Sequence, residues 1–122
     1  MGAKPQDLGR WSEPSLLVLS SLAGGEKHGY AMVSDIVEMA GVHLGPGTLY
    51  GALTRLEEQG LILALPAEGR RRPYRLTGAG AQVLREQLTT IASVADTGLT
   101  RLRTRGAELR TLPRRSAAAE AR

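Results

Sequence analysis

The 122-residue sequence has no cysteine and no phenylalanine, and only one tryptophan and three tyrosines. Without cysteine, disulfide staples and thiolate zinc sites are excluded. With so few aromatics the core must be filled by leucine and valine, which suits packed helices better than a large sandwich. No apolar run reaches the roughly 18 residues that span a membrane, so no membrane partner is expected. Met1 to Arg10 is polar and lacks the apolar stretch of a secretory signal. A soluble, cytoplasmic protein is the simplest expectation. There is also no glycine-rich phosphate loop, no acid and base at a useful spacing and no Ser-His-Asp arrangement, so neither an enzyme nor a cofactor is expected. His28 and His43 are the only histidines. His28 reads as a helix cap or a packed side chain, and no metal site is expected.

What is present is a core-forming chain with a lopsided charge. Hydrophobic residues make up 42% of the sequence, enough to bury a core. The length allows one compact domain and an extra helix. The chain carries +4 overall, but residues 1–66 hold a net of −3 and residues 67–122 a net of +7. A basic half on a small protein points to a polyanion, nucleic acid first, although an arginine-rich solvated helix and tail would show the same balance.

The element pattern is helix, helix, helix, hairpin, helix. Pro14 opens a first helix with Leu16, Leu19 and Leu22 on one side, ending at Gly24-Gly25. A second begins near His28-Gly29-Tyr30 and runs to Met39 or Ala40. Tyr30, Val33, Val37 and Ala40 are expected as its apolar face, with Asp35 and Glu38 outward and Gly41 as its left-handed cap. The turn Gly45-Pro46-Gly47 leads to Thr48 as N-cap candidate, then to a helix over Leu49 to Gln59. Its inward positions are Leu49, Leu53 and Leu56; Tyr50, Gly51, Thr54 and Arg55 face out, and Gly60 ends it. Residues 61–76 read as a β-hairpin: an apolar run 61–65, a polar turn 67–72 and a returning strand Pro73-Tyr74-Arg75-Leu76. Thr77 caps a long final helix, 78–110, with apolar positions at Leu84, Leu88, Ile91, Ala95, Leu99, Leu102 and Leu109.

This order predicts a mainly α fold with a small β-hairpin: a winged helix-turn-helix over 12–77 and a C-terminal dimerisation helix over 78–110. A flexible N-terminus, 1–11, and a disordered basic tail, 111–122, flank them. The third helix is built to enter a major groove. Gly47, Gly51 and Ala52 are small enough for close approach, Thr48, Tyr50 and Thr54 can hydrogen-bond, and Arg55 can pair with a phosphate or a guanine. Arg70, Arg71 and Arg72 place positive charge at the hairpin tip, where a wing meets phosphate or minor groove. Each has a plainer reading. Tyr50 could pack on the hairpin, Arg70 to Arg72 could solubilise a turn, Arg55 could pair with Glu57 or Glu58, and Trp11 could cover the core or line a ligand pocket.

His28-Gly29-Tyr30, the block from Gly47 to Ile62 (GTLYGALTRLEEQGLI), and Arg72-Pro73-Tyr74-Arg75-Leu76-Thr77 with Gly80 resemble the PadR family of transcriptional regulators, over about residues 14–84. The likeness is to its short-helix branch, in which one C-terminal helix carries dimerisation. The resemblance implies a dimeric repressor on a palindromic DNA operator, often released by a small-molecule effector. It also implies that Thr48, Tyr50 and Arg55 lie on the recognition helix, and that Arg70 to Arg72 and Tyr74 lie on the wing. The final helix carries no tryptophan, which argues against a flat aromatic ligand sandwiched between paired tryptophans, as some relatives use.

The last helix points the same way without the family. The stripe Leu84, Leu88, Ile91, Ala95, Leu99 and Leu102 has too little partner surface within one small chain. Burial against a second copy removes apolar area at about 25 cal/mol per Å². The alternative is a helix folded back over its own wing domain. A winged-helix adaptor that binds protein would need an acidic or apolar face on the third helix, and Thr48, Thr54 and Arg55 argue against it.

Overall fold

The computed structural model describes residues 13–111. The expected flexible start, with Trp11, and the basic tail after Thr111 lie outside the described residues. The elements are α1 (Pro14–Leu22), β1 (Lys27–His28), α2 (Gly29–Ala40), α3 (Pro46–Glu58), β2 (Ile62–Ala64), β3 (Pro73–Leu76), α4 (Gly78–Thr104) and α5 (Gly106–Thr111). The chain forms two compact units, one ending at Leu88 and the other beginning at Thr89.

In the first unit α1 is the central element. Pro14 sits in its first turn, where a missing N–H is harmless. Leu16, Leu17, Val18, Leu19 and Leu22 are all buried, so the one-sided helix expected from Leu16, Leu19 and Leu22 is instead apolar all round. A helix of that kind belongs inside, and α2, α3 and β3 pack against it. Its one buried polar side chain, Ser21, donates a 2.6 Å hydrogen bond to Asp35 Oδ2 on α2. Lys27 Nζ donates to the Ser21 carbonyl at 2.6 Å and lies 4.0 Å from the same carboxylate. Asp35 therefore ties α2 to α1 rather than pointing outward.

The buried face of α2 is Gly29, Met32 and Ile36. Tyr30, placed on that face by its spacing, is 82% exposed, and Val33, Val37 and Ala40 are only half-buried. The helix carries two apolar stripes, and the one holding Met32 and Ile36 meets the core. Gly41 closes α2 at φ 70°, a left-handed position that glycine adopts without a Cβ penalty. α3 then begins at Pro46 with Gly45 as N-cap, so Thr48 lies within the first turn instead of capping it. Leu49, Leu53 and Leu56 are buried as their spacing predicts, joined by Ala52.

The sheet has three antiparallel strands in the order β1-β3-β2. Ile62, Leu63 and Ala64 pair with Leu76, Arg75 and Tyr74, which is the expected hairpin. The third strand is added by Lys27 and His28, opposite Tyr74 and Pro73. Thr77 joins the hairpin to α4. Its Oγ1 accepts the Gly80 N–H at 3.0 Å as an N-cap and donates to the Gly60 carbonyl at 2.8 Å, while its N–H donates to the Leu61 carbonyl at 3.1 Å. Leu84, two turns into α4, is 4% exposed. It closes the core of its own unit and is unavailable to the dimer seam in which the stripe placed it.

In the second unit α4 continues to Thr104, and Leu99 and Leu102 are more than half exposed, as is Val94. The single helix expected over 78–110 is interrupted at Arg105. Thr104 Oγ1 donates back to the Thr100 carbonyl at 3.0 Å, a bond that bends helices, and Gly106 follows, weak in a helix interior. Arg105 bonds Glu108 across the restart at 3.0 Å. Among the described residues, no helix is long and apolar enough to cross a membrane.

Candidate nucleic-acid interface

The outward face of α3 carries Thr48, Tyr50, Thr54 and Arg55, all exposed, with Gly51 half-buried between them. Ala52 does not belong with them; it is fully buried, and its smallness serves the core rather than a groove. Thr54 Oγ1 donates to the Tyr50 carbonyl at 2.9 Å, which leaves its lone pairs free to accept. Among the described residues Arg55 makes no ion pair with Glu57 or Glu58. Its guanidinium lies over Gly51, 3.5 Å from where a Cβ would stand.

Tyr50 is 55% exposed. Its hydroxyl lies 3.1 Å from the place a Cβ would occupy on Gly29, and Leu49 Cδ2 is 3.3 Å from the same place. Glycine at the first position of α2 thus lets the Tyr50 ring lie across the helix start. The ring thus packs on the start of α2, with its hydroxyl against Gly29, and is still more than half exposed.

The hairpin tip is a closed turn. The Glu68 N–H donates to the Arg71 carbonyl at 2.6 Å and the Arg71 N–H to the Glu68 carbonyl at 3.0 Å, around Gly69 at φ 64°. The Leu65 N–H donates to the Pro73 carbonyl at 2.9 Å. Arg72 Nη1 donates to the Leu65 carbonyl at 2.9 Å, so one guanidinium of the three is engaged by the hairpin itself. Arg70 and Arg71 are exposed and make no ion pair among the described residues. Tyr74 is half-buried on β3. Burial first, then the negative charge of Glu57, raises its phenol above the ordinary tyrosine value; Arg72 pulls the other way and Tyr50 adds to the rise.

These elements meet around one cleft of about 360 Å³. Tyr50 from α3, Tyr74 and Arg70 to Arg72 from the wing, and His28 to Tyr30 from β1 and the start of α2 line it. Thr48, Gly51, Thr54 and Arg55 do not line the cleft; they sit on the exposed face of the same helix. The sequence reading missed Tyr30 and His28 as members of this surface. The signal available was a tyrosine two residues after a histidine in a chain with three tyrosines, and helical spacing assigned Tyr30 to the core instead. No group of three or more His, Cys, Asp or Glu residues that could hold a metal ion occurs among the described residues.

Three helices, a basic hairpin and a fourth helix in this order form a winged helix-turn-helix, with α2 and α3 as the helix pair and β2–β3 as the wing. Residues 18–86 match the Transcriptional regulator PadR-like family, and the chain belongs to it. It is similar to the transcriptional regulator Rv3488 of Mycobacterium tuberculosis, 37% identical over 83 residues that cover 66% of this chain and 77% of that one. An uncharacterized 37.1 kDa protein in transposon TN4556 of Streptomyces fradiae is 43% identical over 86 residues, 70% of this chain. That match is 25% of the transposon protein, so this chain spans a quarter of its length. Among solved structures, a PadR family transcriptional regulator from Eggerthella lenta superposes with a TM-score of 0.60 at 35% identity, over 72% of this chain and 79% of that one. The family and these named regulators are transcription factors, not enzymes.

Proposed function

We propose that the chain binds double-stranded DNA sequence-specifically as a homodimer and represses a nearby gene from a palindromic operator. The observation that carries this reading is the union on one unit of an exposed α3 face bearing Thr48, Thr54 and Arg55 with a closed hairpin tip bearing Arg70 and Arg71. α3 enters the major groove, where Gly51 allows close approach, the threonines hydrogen-bond and Arg55 meets a guanine edge or a phosphate. The wing arginines meet the sugar-phosphate backbone beside it, which sets register without reading sequence.

The homodimer rests on the apolar positions Leu88, Ala95, Leu99 and Leu102, all exposed, and the half-buried Ile91, to which the exposed Val94 is added. A two-fold pair would set two recognition helices about 34 Å apart, one turn of DNA. Repression follows from occupancy of the operator, and release by a small-molecule effector follows the pattern of the family. The test is fluorescence anisotropy with DNA from the region upstream of the chain's own gene, titrated in salt. Tight, selective binding by two subunits per site with a steep salt slope supports the reading. Weak binding to every sequence, or none, replaces it with a winged-helix adaptor that binds protein.

A further inference from the structure

We propose that the cleft between the wing and the helix pair seats one backbone phosphate of the duplex, held by the hydroxyls of Tyr30 and Tyr50 and the guanidinium of Arg71. This inference rests on the DNA-binding reading above and makes Tyr50 a holder of the backbone rather than a reader of bases. The cleft is lined by phenols from α2, α3 and β3 and by guanidiniums from the tip, and no carboxylate lines it. Such a lining offers hydrogen-bond donors and fixed positive charge to an oxyanion. Three aromatic rings around it also give apolar walls, which fit the sugars on either side of a phosphodiester better than a bare ion.

The elements are placed for this. β1 pairs Lys27 with Tyr74 and His28 with Pro73, so the start of α2 is fastened beside the returning strand of the wing. Gly29 lets the Tyr50 hydroxyl lie against that same helix start. Arg72 is turned to the Leu65 carbonyl, which leaves Arg70 and Arg71 as the tip's open guanidiniums. Tyr74, half-buried and with its proton held more firmly than usual, stays a neutral donor at the floor. All of the lining side chains belong to one unit, so the seat needs no second subunit.

The experiment is anisotropy on the operator duplex carrying a single neutral methylphosphonate, moved one linkage at a time along a half-site. Wild-type chain is compared with a Tyr30→Phe, Tyr50→Phe double variant, which keeps both rings and removes both hydroxyls. In the wild type one linkage per half-site weakens binding by about tenfold or more, the size expected when charge-assisted hydrogen bonds are removed. In the double variant the unmodified duplex binds more weakly, and the penalty at that one linkage shrinks while penalties elsewhere persist. Equal penalties in both proteins at every linkage overturn the seat while leaving DNA binding intact. Failure of wild type to bind the unmodified duplex overturns the DNA reading and the seat together. Inorganic phosphate is titrated in parallel by equilibrium dialysis. Saturable binding that the double variant loses, with no privileged linkage in the duplex, assigns the cleft to a free phosphate ligand and also overturns the proposal.

Discussion

Gly80, in the first turn of α4, lies directly against the carbonyl of Leu61 at the root of the wing. A Cβ there would collide with that oxygen and would stand 2.8 Å from Leu76 Cδ1. This close approach sets how near the helix start comes to the hairpin, and with it the position of the wing that follows α3.

Gly80→Ala is therefore expected to destabilise the fold by about 1–3 kcal/mol, as forced overpacking of a fixed site does. Thermal unfolding followed by circular dichroism measures it. An unchanged midpoint would show that helix and hairpin can move apart freely.

Alanine at both Arg70 and Arg71 is expected to weaken binding to every DNA sequence alike. The slope of log affinity against log salt should flatten by about 0.9 for each phosphate that the tip no longer neutralises. Weakening confined to one sequence would mean that the tip reads bases.

Arg55→Ala is expected to behave in the opposite way, lowering affinity by about 1–3 kcal/mol for the operator and relaxing preference at one base pair. Selection of bound sequences from a randomised pool makes the comparison. A uniform drop over all sequences would move Arg55 to the backbone.

Glutamine at both Leu88 and Ile91 is expected to give monomers by light scattering with the winged domain still folded. Leu84→Ala is the contrast. Buried in its own unit, it should cost about 2–5 kcal/mol in stability without changing the subunit count of the folded fraction. A surviving dimer in the first variant would place the seam elsewhere.

The folded chain holds the Tyr74 proton more tightly than the unfolded chain, because burial and Glu57 disfavour the phenolate. This contribution to stability is fully present below the ordinary tyrosine value of about 10 and is lost as pH rises through the higher folded value. Alkaline titration of tyrosinate absorbance should show one phenol ionising late, and Tyr74→Phe should remove that late step. A wild-type titration with no late step, indistinguishable in shape from that of the variant's two remaining phenols, would contradict the burial.

Much of this architecture is legible in the sequence because several signals agree at the same places. Gly41 and Gly60 close helices, Thr77 opens one, and Leu49, Leu53 and Leu56 mark one face of α3 without a competing stripe. α2 is harder to read, because Tyr30, Val33 and Val37 repeat with the same spacing as Gly29, Met32 and Ile36. Periodicity alone does not say which stripe is covered; the tie from Ser21 to Asp35, fourteen residues apart in the chain, helps to decide it. β1 is two residues long and has no pattern of its own, existing only because β3 offers an edge. The cleft is half legible for that reason: its wing and α3 members stand out as types, whereas His28 and Tyr30 join them only through the pairing of β1.

The closed turn at the wing tip has a thermodynamic consequence. Four hydrogen bonds, from Glu68, Arg71, Leu65 and Arg72, fix the loop before any ligand arrives. A tip shaped in advance has little conformational entropy left to lose on association, and such preorganisation favours affinity by lowering the ordering cost. The heat-capacity change on binding should then reflect surface removed from water, with little added by a segment that folds as it docks. The wing would arrive as a rigid part, with water and counterions the main things released.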